Sequence, residues 1–446
     1  MSRLLASVTL LLALCAPLLP LRAAAVLYEG ARVIADARQP PLEDAAFLVD
    51  QGRVTGIGRK GSLKVPKNAG RVDLTGTTVI PALLDTHIHI GYQRDLTYSA
   101  ANYTRGNLAG QLQRYAYAGV AAVLSLGTDP GEMPFLQRAQ QKRTGGTVLL
   151  LAGRGIAAPN AGPGDAALKP SAWSVSTAEE ARNAVRQEAA RGADIIKVWV
   201  DDRGGTVAKT SPEVYRAVID EAHKRKLRAI AHVFYLDDAK DLARSGIDGF
   251  AHLVRDKDID DELVTLIKQH GIFVMPNLSL AGNRTLNAPP TWLDEPLSVE
   301  TTPPVILDRA RAAYGSRTLQ TLEASRRAWD LLRRNLAKLN TAGVKIVLGG
   351  DSGAVPDHFH AYTSHRELEW MVEAGMSPAQ ALTAGTATAA EFLRLKNRGT
   401  LAAGVSADFV VLNANPLDGI ANTRRIVDVY LRGQKVDRAA LRAGWK

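Results

Sequence analysis

Short apolar runs alternate with amphipathic stretches through the middle of the chain, separated by polar, turn-rich segments. The runs at 84–90, 121–126, 147–152, 194–200, 228–233, 249–253, 272–276 and 345–350 have the length and composition of buried strands. Between them, the stretches at 178–190, 212–225 and 261–270 repeat apolar residues three and four apart, the spacing of an amphipathic helix. Strands that alternate with helices predict a parallel α/β architecture. Eight of them favour a (β/α)8 TIM barrel, with a doubly wound open sheet as the alternative. Two long connections, 154–173 and 277–308, are rich in Pro, Gly and Asn. Each follows a candidate strand, so in a barrel each lies over the active-site face.

The chain ends have a different texture. Short strand-like runs fill residues 26–77, and similar runs recur at 407–412 and 426–431. They predict a small β-sandwich domain assembled from 26–80 and 399–446, with the barrel occupying 81–398. Residues 1–25 read as a signal peptide. Arg3 supplies the positive start, residues 4–16 the apolar core, Pro17 and Pro20 the break, and Ala23-Ala24-Ala25 the small residues at the cleavage site. Export to the periplasm or medium is therefore expected.

Composition narrows the function classes. With 46% hydrophobic and 22% charged residues among 446, the chain has ample apolar material for a large core and is not disordered. The one cysteine, Cys15, lies in the leader, which excludes a disulfide framework and any cysteine-built metal site. Net charge is +10, and the densest basic cluster is Arg326, Arg327, Arg333 and Arg334. Its spacing is that of one solvated helix face without an aromatic stacking motif, so nucleic acid is not an expected partner. The expected partner is a small molecule, with a mild preference for anions. No membrane contact is expected once the leader is removed, and a homo-oligomer is compatible with the sequence.

The strongest chemical signal is Asp85-Thr86-His87-Ile88-His89. Alternation along a strand puts Asp85, His87 and His89 on one face, where two imidazoles at i and i+2 can converge on one metal ion. His232, His252 and Asp351 each close another candidate strand, and in a parallel barrel all such ends face the same mouth. Four imidazoles and a carboxylate form a nitrogen and oxygen donor set suited to zinc, and also to manganese, cobalt or iron. Lys197 lies inside the apolar run Ile195-Ile196-Lys197-Val198-Trp199-Val200, where desolvation favours a neutral amine. Such a lysine could pair with Asp201, Asp202 or another acid, form a Schiff base, or add carbon dioxide to give a carbamate that bridges two metals. The neighbouring ligand set favours the carbamate.

Tyr92, Tyr235 and Arg255 follow closely on metal-ligand positions and are candidates to bind an oxyanion or a substrate carboxylate. His358 and His360, with His365, follow Asp351 on the last barrel loop or the start of its helix, and loop residues at this face often touch substrate. His223 and His270 lie near predicted helix C-termini, where a histidine complements the dipole.

The ordered set His87-x-His89, Lys197, His232, His252 and Asp351 resembles the amidohydrolase superfamily of metal-dependent hydrolases. More narrowly, it is similar to the branch holding imidazolonepropionase-like enzymes and Xaa-Pro or Xaa-Arg/Lys dipeptidases. Residues 372–382 and 399–412 resemble that family's last barrel helix and its return to the β domain. The resemblance implies two divalent metal ions, zinc foremost. His87, His89, Asp351 and a carboxylated Lys197 would hold one; the same carbamate, His232 and His252 would hold the other. It also implies hydrolysis of an amide C–N bond in a dipeptide or N-acyl amino acid, by a metal-bridged hydroxide with Asp351 as general base. A mononuclear cyclic-amide hydrolase or deaminase is the alternative, and a metal-binding protein without catalysis the alternative of another class. Val198-Trp199-Val200-Asp201-Asp202 and the residues after His232 and His252 depart from the usual dipeptidase pattern, at positions that shape the substrate pocket.

Overall fold

The computed structural model describes residues 25–144, 146–356 and 358–445. Of the expected signal peptide, only Ala25 falls within them. Among the described residues, no helix is long and apolar enough to cross a membrane.

Seven parallel strands form the regular part of a barrel: Leu83–Ile88, Val120–Ser125, Val148–Leu151, Ile195–Val200, Arg228–Val233, Gly249–Ala251 and Phe273–Met275. Ile195–Val200 is buried along its whole length, and that explains why its sequence is an apolar run rather than an alternation. Between the third and fourth strands, Asp194 N donates to Leu151 O at 2.8 Å, and Ile156 pairs with Val198. The expected eighth strand makes only single bridges, Val274 with Ile346 and Ile88 with Ser352. Thr86 N donates to Leu348 O at 2.9 Å, and Asp351 N to His87 O at 2.7 Å, which closes the barrel onto its first strand. Closure excludes the doubly wound sheet. The last strand is irregular where Gly349 and Gly350 lie against His87 and Asp85; a Cβ on Gly349 would sit 3.0 Å from that of His87.

Local signals set the helices around this core. Thr177 and Glu180 form a reciprocal capping box at the start of Ala178–Arg191, and Gly192 ends it in the left-handed region. Ser211 caps Pro212–Lys224 ahead of a proline in the first turn. The connection 277–308 differs from expectation, because it holds the helices Ser279–Arg284 and Pro296–Thr301 and the start of Pro304–Gly315. Pro296 and Pro304 occupy first-turn positions, where the missing N–H costs nothing, so these prolines start helices rather than mark loop.

Both chain ends contribute to one further sheet of eight strands, running Gln434–Lys435, Ile426–Leu431, Phe409–Leu412, Thr78–Pro81, Val26–Val33, Leu42–Asp50 and Arg53–Arg59, with Gly70–Asp73 also paired to Val26–Val33. Val26–Val33 pairs with Gly70–Asp73 over its first half and with Thr78–Val79 over its second, so the sheet splits into layers over an aromatic core. In that core Tyr28 stacks on Phe47 at 5.0 Å and Phe409 on Tyr430 at 4.5 Å. Thr78–Pro81 runs almost directly into Leu83–Ile88, and Ala82 N donates to Asp408 O at 3.0 Å. The small sheet thereby anchors the strand that carries His87.

Candidate active site at the barrel mouth

His87 lies on the first barrel strand and His89 just beyond it; Lys197 and His232 lie on the fourth and fifth; His252 and Asp351 follow the sixth and the eighth. All six line one cavity of about 270 Å³. His87 Nδ1 is 3.2 Å from Asn277 Oδ1, and His89 Nδ1 is 2.7 Å from Thr128 Oγ1. With a proton on each Nδ1, the Nε2 lone pairs are free, and they lie 3.3 Å and 3.1 Å from Asp351 Oδ1. Those contacts lack hydrogen-bond geometry, and Asp351 Oδ1 is buried without a hydrogen-bond partner. Ligand atoms of His87, His252 and Asp351 lie within 4.8 Å of one another, and the His232 and His252 rings are 4.4 Å apart. Lone pairs that converge without a shared proton are what a cation would satisfy, so the donor set fits a divalent metal.

Burial gives these groups the protonation states of metal ligands. It holds His87 and His252 well below the ordinary imidazole range and brings His232 down to about 4, so the rings are neutral near pH 7. His232 Nε2 is met by both Asp201 Oδ2 at 3.3 Å and the Arg255 guanidinium at 2.9 Å. The fully buried Lys197 amine is lowered to about 7, mainly by desolvation, with Asp351 opposing and Arg255 assisting. Neither adjacent acid pairs with it, since Asp201 faces His232 and Asp202 accepts from Tyr235, and the carboxylate whose charge acts on it is Asp351. Three residues that end strands, His252, Asn277 and Asp351, have φ of 74°, 53° and 54°. Non-glycine residues held in the left-handed region cost free energy, and such strain concentrates at functional sites.

The amidohydrolase family matches residues 78–436 of this chain. The chain belongs to the amidohydrolase family. Its fold superposes on a protein of Bifidobacterium longum provisionally called a prolidase, with a TM-score of 0.74, 26% identity and coverage of 95% of this chain and 99% of that one. A Xaa-Pro dipeptidase with methionine bound in its active site gives 0.71 at 21% identity, covering 93% and 100%. In sequence, ochratoxinase of Aspergillus niger is 26% identical, over 89% of this chain and 82% of that protein. As an amidohydrolase the chain is a hydrolase of C–N bonds that acts on a small-molecule substrate.

The other residues singled out from the sequence of this amidohydrolase are scattered. Arg255 lines the cavity, with Nη2 2.9 Å from His232 Nε2 and Nε buried without a partner. Tyr92 does not line it. Gly91, at φ 95°, redirects the chain after the first strand, and the Tyr92 hydroxyl donates inward to Thr128 O at 2.7 Å. Tyr235 is also absent from the lining; its hydroxyl donates to Asp202 Oδ1 at 2.6 Å under the Lys209 ammonium. His358 lies behind Asp351, with Nδ1 donating to the Asp351 carbonyl at 2.8 Å. His360 lines a different pocket together with His358. Asp85 shares its strand with the histidines yet accepts from Gly350 N, His87 N and Ser364 Oγ instead of facing the cavity.

Several contributors were not legible in advance. Asn277 holds three strand ends together: Oδ1 meets His87 and accepts from His252 N at 3.0 Å, while Nδ2 donates to Gly349 O at 2.7 Å. Its place directly after the seventh strand was the available signal. Glu367 accepts from Leu278 N and Ser279 N at 2.7 Å each, pinning the start of the helix that brings Leu280 and Arg284 to the cavity. Arg203 and Arg284 join Arg255 in the lining. Thr128→Val, which removes the partner of His89 Nδ1, is expected to weaken metal affinity about 10–100-fold in competition with a chelator. Unchanged affinity would show that Thr128 does not orient His89.

Proposed function

We propose that this amidohydrolase cleaves the amide bond of a dipeptide or N-acyl amino acid, with two divalent metal ions, zinc in the native enzyme, held by His87, His89, His232, His252, Asp351 and a carboxylated Lys197. The carrying observation is the buried Asp351 Oδ1, faced by two imidazole nitrogens and given no proton. When bound, the ions acidify a water molecule and polarise the scissile carbonyl. Lys197 supports the bridging role, because a neutral amine adds carbon dioxide to give a carbamate and a proton, and burial brings its pKa to about 7.

The chain's own groups divide the remaining work. Asp351 would be both a ligand and the base that takes the proton of the attacking water and passes it to the leaving amine nitrogen. Arg203, Arg255 and Arg284 line a wall whose acidic members are Asp201 and Asp351, so the cavity suits a substrate carboxylate. The wall of the long connection, Gly162 to Leu168, together with Leu280, supplies apolar contact and excludes water.

The free C-terminal carboxylate is the feature to test. Dipeptides and N-acyl amino acids are expected to show kcat/KM about 10–100-fold above their C-terminal amides, the worth of one charge-assisted hydrogen bond. Equal rates would remove the arginines from carboxylate binding. No cleavage of any dipeptide or N-acyl amino acid by the metal-loaded enzyme would reject the substrate class. The reading includes export directed by the leader; a mature chain beginning near Val26 in the periplasm or medium is the expected result of N-terminal sequencing.

A further inference from the structure

A second pocket shares no lining residue with the cavity above but is built on the later half of the same loop. Its walls come from the 93–95 turn, the helix Arg105–Tyr117, residues 301–306 and the segment 358–360. It encloses about 150 Å³. Four buried polar atoms of its lining have no hydrogen-bond partner: Gln93 Oε1, Arg114 Nε, Thr302 Oγ1 and His360 Nε2. Thr302 itself is only 6% exposed. One orphan is common in a native protein, whereas four in one pocket call for a ligand or ordered water.

The chemistry of the orphans is directional. Arg114 has no carboxylate within ion-pair distance among the described residues and stacks on Trp445 at 5.1 Å. A guanidinium, a hydroxyl and an imidazole nitrogen are the donors a carboxylate takes. Gln93 Oε1 and the Asp95 side chain are acceptors only, suited to an ammonium group. Pro303, Ile306 and Phe359 complete the wall with apolar surface. We propose that this pocket binds a free α-amino acid as a zwitterion, at a site separate from the catalytic cavity.

The site is tied to the catalytic loop. His360 Nδ1 lies 3.5 Å from Tyr115 OH, which is 2.5 Å from Ser352 Oγ, adjacent to Asp351. His358, in the same wall, donates to the Asp351 carbonyl. An occupant therefore contacts the loop that positions Asp351 without entering its cavity.

Calorimetry on the full-length, metal-loaded protein with L-leucine as the probe tests this. Saturable binding is expected, about tenfold weaker or worse for isoamylamine and for 4-methylpentanoate, each of which lacks one charged group. Thr302→Val, close to isosteric, and Arg114→Gln are each expected to weaken leucine binding by about tenfold, while Asp351→Asn leaves the same binding event intact. If Arg114→Gln fails to fold, Thr302→Val alone decides. Three results would overturn the proposal: no binding at millimolar leucine, binding that both pocket substitutions leave unchanged, or a crystal of the leucine-soaked protein with water alone in the pocket.

Discussion

Asp351→Asn is expected to lower turnover by about 10²–10⁴-fold while the protein keeps most of its metal. The amide retains an oxygen in place of Oδ1, and four imidazoles remain, so the loss should fall mainly on proton transfer rather than on metal retention. Asp351 meets no competing structural demand from its side chain, since Oδ1 accepts no hydrogen bond in the protein. Its backbone is the structural element: the amide donates to His87 O at 2.7 Å and the carbonyl accepts from His358. Substitution of the side chain therefore leaves the barrel closure in place. Rapid-quench kinetics with metal analysis of the same sample separates the two effects. A variant with nearly full turnover would assign the base elsewhere, and one that lost its metal would leave the base untested by turnover but show Asp351 to be the dominant ligand.

Lys197→Ala is expected to reduce bound metal from about two ions per chain to one or fewer, with activity falling by at least about 10²-fold. The side chain is 1% exposed and unpaired with either adjacent acid, so its removal breaks no salt bridge to them. Reconstitution of the metal-free wild type should depend on bicarbonate, because the carbamate must form before it can bridge. Metal content of about one ion per chain, unaffected by the substitution and by bicarbonate, would sink the bridge and favour a mononuclear ring-opening or deaminating enzyme. Removal of the amine also empties space against Gly127, where a Cβ would stand 2.7 Å from Lys197 Cγ. A thermal melt on the metal-free proteins separates that packing loss from the loss of metal.

The convergence of His87, His89, Lys197, His232, His252 and Asp351 was legible because every one of them sits on a strand or at its C-terminal end. In a parallel barrel those ends meet by construction, and strand alternation decides which side chains face in. The rule stops where the strand stops. Tyr92 lies only three residues past His89, but Gly91 turns the chain and sends its ring into the core against Tyr103. His358 and His360 fail for a similar reason. Gly353 at φ 77° and Ala361 at φ 65° steer the last loop, and a Cβ on Gly353 would lie 1.9 Å from the His89 carbonyl. The helices inside 277–308 were hidden because prolines read as loop markers unless their place in the first turn is known.

The sequence by itself determined the barrel, the ordered set of residues that meet in one cavity and the buried lysine, since these depend on periodicity and composition over a few residues. Tertiary structure alone decided which side chains meet the ring nitrogens of His87, His89 and His232, namely Asn277, Thr128 and Asp201, residues 190, 39 and 31 positions away from their partners. It also decided that three arginines share the catalytic cavity while His360 faces another pocket. Such pairings join strand ends and loops far apart in the chain, and no local pattern encodes a contact made only when the barrel closes.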